Sequence, residues 1–304
     1  MSDCMPTLSN LPTELSLPDA LSTPADSYAL TLSYKGSEFS GFARQKDASI
    51  LTVQETLEQA LATALRLEQP LLTVCAGRTD AGVHALEQVV SFELPAGMFS
   101  ASGKAGTEKT GQAERCAQIV RSLNALTPES IRVLALRPAR LGFSARFDAL
   151  SREYRYYISN QAAPPIFTKD FAWHLPQKLD KDLMKRATIY LRGEHDFRSF
   201  CTAASAPPEK NTIRTISQIE IFEQQFFGEE LLTVQIIGNA FLHSMVRIIV
   251  GTIQEVAAGK RDSEDLKSIL SARKREAAGM TAPAQGLTLY KVQYPQGSFL
   301  NKNM

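Results

Sequence analysis

The segment LLTVCAGRTDAGVHALEQVVSFE, residues 71–93, places a polar loop between two apolar runs. The runs at residues 71–75 and 88–93 are short and rich in apolar residues, as β-strands are. The connection at residues 76–87 contains glycine and charged residues, with Asp80 at its centre. The sequence therefore predicts a loop that protrudes between two strands of a sheet.

Strands and helices alternate on both sides of this loop in the first half of the chain. Residues 28–34 alternate apolar and polar side chains, which predicts a half-buried strand. Thr52 and Glu55 form a capping box at the start of a helix. A second helix is predicted over residues 113–126 and a last strand over residues 131–137. The predicted order is strand, helix, strand, strand, helix, strand.

The second half of the chain repeats this order. Its predicted elements are a strand at residues 153–159, a helix at 181–191, strands at 216–222 and 231–238, a helix that ends at Gly259 and a strand at 287–294. We therefore expect an α+β fold of two tandem ferredoxin-like βαββαβ halves. Each half would carry an antiparallel sheet, with a central cleft between the halves.

These elements divide the chain into domains and tails. We expect a disordered acidic tail over residues 1–27, which include no Lys or Arg. An N-terminal ferredoxin-like domain would cover residues 28–140, with an exposed insertion at 100–112 that is rich in small and polar residues. The C-terminal ferredoxin-like domain would cover residues 141–296, followed by a second tail at 297–304.

The composition is that of an ordinary globular protein. Of 304 residues, 44% are hydrophobic and 21% are charged, with a net charge of +1, which excludes wholesale disorder. No apolar run approaches about 18 residues and no signal peptide is recognisable, so we expect no membrane contact and a cytoplasmic location. The cysteines and histidines form no CxxC or HxxxH pair. We therefore expect no metal site and no cofactor.

The polar loop has the residues that an aspartate nucleophile needs. Gly77 and Gly82 allow tight turns beside Asp80, and Arg78 can attract its carboxylate or bind a phosphate. The alternative is a turn in which Asp80 accepts hydrogen bonds from local backbone amides, which is the commoner role for such a string. The residues alone leave both interpretations open.

Sequence blocks in a definite order span most of the chain between residues 28 and 294. They are YKGSEFSGF at 34–42, TVQETLEQAL at 52–61, AGRTDAGVHA at 76–85, FSARFDA at 143–149, REYRYYI at 152–158, GEHDFRSF at 193–200, NAFLHSMVRIIVG at 239–251 and QGLTLYKVQY at 285–294. In content and order they resemble the TruA-type tRNA pseudouridine synthases. The resemblance implies two related α+β halves with a basic RNA-binding cleft, usually assembled as a homodimer.

The resemblance also implies a reaction and a set of residues. The substrate would be uridine in the anticodon stem-loop of tRNA, at positions 38, 39 and 40, isomerised to pseudouridine without a cofactor. Asp80 would be the nucleophile, Arg78 would contact RNA and help displace the target base, and Tyr154 would pack on the target uracil. Arg247 would pair with the catalytic aspartate, and Leu287 would shape the uracil pocket. The aspartate would either add to the base or assist formation of a glycal at the sugar.

Three of these residues also have ordinary interpretations. Tyr154 and Leu287 fit the core of a sheet, and Arg247 fits the solvated face of a helix. An arginine on a largely apolar segment nevertheless favours a carboxylate partner, which Asp80 would supply.

Dispersed basic residues are predicted to bind the RNA backbone. Arg44, Arg146 and Arg152 are candidates for phosphate contacts, which would make binding dependent on salt and on RNA shape.

The sequence departs from the family pattern at two places. Phe42 and Ala43 stand where the family usually has tryptophan and glutamine, and Ser144 stands where it usually has histidine. We expect these departures to remove RNA contacts and to leave the reaction unchanged. Two other functions stay open: a non-catalytic structured-RNA-binding protein on the same scaffold, and a hydrolase that uses Asp80 and releases free uracil.

Overall fold

Two runs of strands and helices with the same order make up the fold. The computed structural model describes residues 25–47, 49–99, 108–205, 207 and 209–300. The elements of the first half are strands β1 (Ala25–Tyr34), β2 (Val74–Cys75), β3 (His84–Pro95) and β4 (Ile131–Pro138), with helices α1 (Val53–Leu65) and α2 (Glu108–Leu126). Residues 1–24, 100–107 and 301–304, which include most of the predicted acidic tail and insertion, lie outside the described residues.

The second half has the same elements with several additions. Its strands are β5 (Ser151–Ser159), β6 (Trp173–His174), β7 (Gly193–Asp196), β8 (Ile213–Phe226), β9 (Glu229–Gly238) and β10 (Leu287–Gln293), and its helices are α3 (Lys181–Ile189), α4 (Met245–Ala257) and α5 (Asp265–Ala272). The short strands β6 and β7 and the helix α5 add to the predicted pattern. No helix among the described residues is long and apolar enough to cross a membrane.

The strands form one sheet in which both halves have the same topology. The order is β4-β1-β3-β10-β5-β9-β8-β7, with β2 paired to β3 and β6 paired to β5. Without the short additions β6 and β7, each half has four strands. They lie in the order β4-β1-β3-β2 in the first half and β10-β5-β9-β8 in the second half, which is the same arrangement. This order confirms the α+β fold of two tandem βαββαβ halves.

A short parallel pair joins the two halves. β10 pairs with the start of β3 through Thr288 opposite His84 and Leu289 opposite Ala85. The neighbouring pairs β1–β3 and β5–β10 are antiparallel. The two predicted antiparallel sheets are therefore fused edge to edge into one sheet.

Several boundaries differ from the prediction. β1 begins at Ala25, within the predicted tail, because its first residues pair with the end of β3. β3 begins at His84, which shortens the predicted loop of residues 76–87 to residues 76–83. The helix α2 begins at Glu108, inside the predicted insertion. Pairing with neighbouring strands thus extends β1 and β3 beyond their apolar runs.

The predicted C-terminal tail begins with packed residues. Ser298 is buried, and Phe299 forms a bridge with Ala139 at the end of β4. The Phe299 ring lies 5.4 Å from that of Phe143 and 5.7 Å from that of Tyr294. The boundary at residue 297 was therefore wrong for residues 298–299, which complete a small aromatic cluster.

One hydrophobic cluster runs through both halves beneath the sheet. It contains Leu57 and Leu61 of α1, Tyr156 of β5, and Ile249 and Ile253 of α4, all of them fully buried. Burial of such side chains contributes roughly 1.5–3 kcal/mol each relative to exposure, which makes this cluster the main source of stability. The helices α1 and α4 are thereby fixed against the strands.

Helix α4 lies unusually close to the segment that precedes β10. A Cβ atom placed on Gly251 would lie 2.0 Å from the carbonyl oxygen of Met280, which is a backbone atom. Only glycine therefore permits this approach. The close contact fixes the middle of α4 against the segment that precedes β10.

We predict that Gly251→Ala destabilises the protein, although alanine is the better helix former. A glycine-to-alanine change inside a helix ordinarily stabilises by about 1 kcal/mol. Here the methyl group would push α4 away from the backbone of Met280, so we expect the free energy of unfolding to fall by about 1–3 kcal/mol. Urea denaturation followed by circular dichroism measures the change. An unchanged or higher stability would contradict the close packing.

Candidate active site

The loop at residues 76–83 is fixed by hydrogen bonds from both sides. The carbonyl oxygen of Thr79 accepts from the amide of Phe42 at 3.0 Å, and its hydroxyl lies 2.8 Å from that of Tyr34. The side chain of Gln88 donates to a carbonyl oxygen of the same loop at 2.7 Å. The loop is therefore rigid, as a loop that positions a reacting group must be.

The block at residues 34–42 packs directly against this loop. A Cβ atom on Gly36 would lie 1.9 Å from the carbonyl oxygen of Val83, so the block requires glycine there. The amide of Gly36 donates to Nδ1 of His84 at 3.1 Å, and His84 is buried. His84 therefore has a structural partner, and this contact ties the block to the start of β3.

The carboxylate of Asp80 contacts three side chains of the second half. Its Oδ2 atom accepts from Nη1 of Arg247 at 2.9 Å and from the hydroxyl of Ser244 at 2.7 Å. Its Oδ1 atom lies 3.3 Å from Nε2 of His243. The side chain of Asp80 is 17% exposed, so the group is sheltered but reachable. The N-terminus of α4 is next to Ser244, and the partial positive charge of the helix dipole there also attracts the carboxylate of Asp80.

Ser244 holds a strained backbone conformation at this point. Its φ of 58° lies in the left-handed region of backbone conformation, which residues other than glycine rarely adopt. It precedes the first residue of α4, yet its hydroxyl donates to Asp80 and does not cap the helix. Backbone strain of this kind concentrates at functional sites.

Arg247 is fixed in its position by the backbone next to it. Its Nε atom donates to the carbonyl oxygen of Ala282 at 2.8 Å, and the amide of Ala282 donates back to the Arg247 carbonyl at 3.1 Å. One edge of the guanidinium is thus anchored while Nη1 contacts Asp80. The structure brings together the aspartate and the arginine that the sequence resemblance paired.

His243 joins the site although the sequence analysis did not select it. Its Nδ1 atom lies 2.6 Å from the hydroxyl of Thr202, while Nε2 faces Asp80. The available signal was its spacing of four residues from Arg247, close to one helical turn. A single histidine in such a block gives too little information to be chosen from sequence.

Tyr154 and Leu287 lie on the same face of the sheet. Tyr154 is buried, and its ring meets Phe241 edge to face at 5.0 Å. Burial raises the pKa of the Tyr154 hydroxyl, and the nearby charge of Asp80 adds to this rise. Leu287 is also buried and pairs with Tyr156, two residues along the strand from Tyr154. Both predicted residues are therefore near the site, within the sheet that supports it.

Arg78 and Arg146 are exposed on one side of the loop. Burial raises the pKa of the Cys75 thiol to about 11, and both guanidinium groups act against that rise, so both lie near Cys75. Among the described residues Arg78 has no ion-pair or hydrogen-bond partner. Two positive charges thus face solvent beside the loop that carries Asp80.

Arg152 is only 7% exposed, and its assignment as a phosphate ligand was wrong. The residue is buried, and its guanidinium donates to the carbonyl oxygen of Ala76 at 3.0 Å and 3.2 Å. It also donates to the carbonyls of Asn239 at 2.6 Å and Ala149 at 3.2 Å, and to that of Arg146. Every polar edge of the guanidinium is occupied by backbone, so Arg152 positions the loop.

Arg44 and Phe42 have structural roles that the sequence analysis did not predict. Arg44 forms an ion pair with Glu58, whose side chain is 1% exposed, so its guanidinium balances a buried charge of α1. A buried carboxylate left without that partner is strongly unfavourable. Phe42 is fully buried against Tyr34, with ring centroids 6.1 Å apart. Its side chain belongs to the core, so the difference from tryptophan there alters packing.

Comparison with known proteins identifies the class of this site. A family model described as tRNA pseudouridine synthase matches residues 187–295, which include Arg247 and Leu287. The second half of the chain, which supplies the arginine that binds Asp80, is thus similar to pseudouridine synthases.

Curated relatives narrow the class further. The tRNA pseudouridine synthase A of Bacillus pumilus is 40% identical over 264 residues, covering 87% of this chain and 97% of the relative. That of Shouchella clausii is 39% identical over 274 residues, covering 90% of this chain and 95% of the relative. The chain belongs to the tRNA pseudouridine synthase A family. A solved Cbf5-Nop10-Gar1 complex is a distant structural likeness, with a TM-score of 0.33 and 11% identity over 86% of this chain and 48% of that chain.

We predict that Arg152→Ala lowers the free energy of unfolding by about 2–4 kcal/mol, because it leaves several buried carbonyl groups without a donor. Arg152→Lys keeps the charge, but an ammonium group does not span the same carbonyls, so we expect only partial recovery. Urea denaturation measures both. Arg132→Ala, an exposed strand arginine, is the control and should change stability by less than about 0.5 kcal/mol. Equal effects of Arg152→Ala and Arg132→Ala would contradict the positioning role.

Proposed function

We propose that the protein isomerises uridine to pseudouridine in the anticodon stem-loop of tRNA, at positions 38, 39 and 40. The observation that carries the proposal is the carboxylate of Asp80, held 2.9 Å from Arg247 at the end of α4. Relatives named tRNA pseudouridine synthase A support the choice of tRNA as substrate.

The reaction needs little more than a placed carboxylate. The bond between N1 and C1′ breaks, a bond between C5 and C1′ forms, the C5 proton leaves and N1 gains a proton. Atoms and electrons balance within the nucleoside, so neither a redox agent nor an outside nucleophile enters. Asp80 supplies the carboxylate, by addition to the base or by assisting a glycal at the sugar. Arg247 attracts the negative charge of that group at close range.

The remaining residues have roles in presenting the uridine. A target base must leave its stack to reach Asp80, which costs a few kcal/mol. Tyr154 offers an aromatic ring to the displaced uracil, and Leu287 provides an apolar wall beside it. Arg78 and Arg146 are exposed next to the loop and contact the RNA backbone or fill the gap that the base leaves.

We also propose a homodimer in the cytoplasm, where tRNA is available. An exposed apolar surface supports a self-association site. Phe227 is 83% exposed, Phe167 66% and Leu86 46%, and all three line a cavity of about 640 Å³. Surfaces of this kind commonly mark contacts between protein chains.

The decisive experiment measures tritium release from tRNA that contains 5-tritiated uridine, with no cofactor or metal added. We expect release at sites that map to the anticodon arm. Binding without release would favour the non-catalytic RNA-binding protein, which nothing in the site favours at present. Release of free uracil would favour the hydrolase. Release that maps outside the anticodon arm would keep the reaction and overturn the proposed positions.

We predict that Asp80→Asn abolishes tritium release while tRNA binding is retained. The carboxamide has nearly the shape of the carboxylate but is neither charged nor nucleophilic. Filter binding and tritium release measured on the same preparation separate the two effects. Asp182→Asn, on the exposed first turn of α3, is the control and should leave both unchanged. Turnover retained in Asp80→Asn would remove Asp80 from its role.

We predict that Tyr154→Phe leaves the affinity for tRNA within about twofold of wild type, because the ring that stacks on the base is retained. Titration of labelled tRNA measures the dissociation constant, and thermal unfolding checks that the buried ring still packs. A tenfold loss of affinity with normal stability would show that the hydroxyl, and not the ring, carries the contact.

A further inference from the structure

An exposed aromatic side chain stands on the turn at residues 144–149. Phe147 is 80% exposed, and the guanidinium of Arg146 lies 5.5 Å from the centre of its ring. Nearby Phe143 and Ala145 are buried. The turn therefore packs its other apolar residues into the protein and presents one ring and one stacked cation to solvent.

This turn is rigid. The amide of Ser144 donates to the carboxylate of Asp148 at 2.8 Å, and the amide of Asp148 donates to the carbonyl of Ser144 at 3.0 Å. The carbonyl of Ala145 accepts from the hydroxyl of Tyr294 at 2.7 Å. The exposure of Phe147 is thus imposed by a fixed backbone, which removes part of the ordering cost of binding a ligand there.

The turn is tied to the loop that carries Asp80. The guanidinium of Arg152 donates to the carbonyl of Arg146 in the turn and to that of Ala76 in the loop. The charges of Arg78 and Arg146 both lower the pKa of the Cys75 thiol, against the larger rise that burial causes. One buried arginine therefore links the turn that carries Phe147 to the loop that carries Asp80.

Open space borders the turn on its other side. A cavity of about 890 Å³ is lined by Ser144, by Leu72 and Val74 at the free edge of β2, and by Arg66. The start of the turn, at Ser144, thus borders open space next to β2.

We propose that Phe147, with Arg146 stacked on it, binds a nucleobase next to the target uridine by stacking. When a base is displaced, its neighbour loses a stacking partner, and an aromatic face restores that contact at about 1–3 kcal/mol per base. Every base has an aromatic face, so we expect this contact to be independent of the RNA sequence. The inference rests on the proposed function and adds a second contact point on the RNA.

Single exposed apolar residues are common on protein surfaces and by themselves indicate nothing. Three observations distinguish Phe147. Its backbone is fixed, a cation is stacked on its ring, and one buried arginine anchors both its turn and the loop of Asp80. Stacking aromatics beside positive charge are the usual means of holding single-stranded RNA.

The test compares Phe147→Ala, Phe147→Leu and Phe147→Trp by tRNA affinity and by tritium release at low substrate concentration. We expect Ala and Leu to weaken binding by about 5- to 150-fold, since neither offers a π face. Trp should match wild type. Ile189→Ala, an exposed apolar residue of α3 that is 65% exposed, is the matched control and should have no effect.

Salt dependence separates stacking from charge. We expect Phe147→Ala to keep the wild-type slope of log affinity against log salt, because no phosphate contact is lost. Arg146→Ala should reduce that slope by about 0.7–0.9 if its guanidinium meets a phosphate. A reduced slope in Phe147→Ala would overturn the stacking role.

The outcomes distinguish this inference from the proposed function. An active wild type in which all three Phe147 variants bind within about twofold overturns the stacking proposal alone. A Leu variant that matches wild type while Ala fails also overturns it, because simple apolar contact would then suffice. A wild-type protein that binds tRNA but is inactive refutes the proposed function. The tRNA affinities of the same Phe147 variants still decide whether Phe147 stacks on a base.

Discussion

The ion pair between Asp80 and Arg247 joins the two halves of this fold at its candidate active site. Its partners are 167 positions apart in the chain. Their contact requires the parallel pair of β3 and β10 as well as the close approach of α4 to Ala282, in the segment that precedes β10. The left-handed conformation of Ser244 exists at the same point and turns its hydroxyl towards the same carboxylate. Local geometry that is unfavourable in isolation is therefore held in place by long-range contacts.

Three arginines show how burial, and not residue type, decides the role of a charge. Arg247 binds a carboxylate that stays reachable from solvent, Arg44 balances the buried carboxylate of Glu58, and Arg152 holds backbone carbonyls in the interior. All three are the same side chain with five donors in a planar fork. Arg78 and Arg146, by contrast, are exposed beside the loop.

Much of the fold and part of the site could be predicted from the sequence. The spacing of apolar residues predicted the repeated βαββαβ order. Each strand or helix buries one face, and the period of its apolar residues shows whether it is a strand or a helix. The pairing of Asp80 with Arg247 came from a family resemblance, since no local pattern links residues so distant. The structural role of Arg152 had no local signal, and the spacing of His243 from Arg247 was too weak a signal to select it, because tertiary packing brings the partners of both residues together. The early start of β3 at His84 has the same cause, since neighbouring strands and not its own residues extend it.

The distance along the chain between the two partners also sets the order in which the site is completed during synthesis. Asp80 leaves the ribosome long before Arg247, and at about 5–20 residues per second the delay is roughly 10–30 s. Through that interval the nascent chain carries its carboxylate without the arginine, the serine or the histidine that surround it in the finished protein. A newly made chain thus cannot complete its reactive centre before residue 247 has been synthesised, and a product that terminates before that residue lacks the arginine of the site.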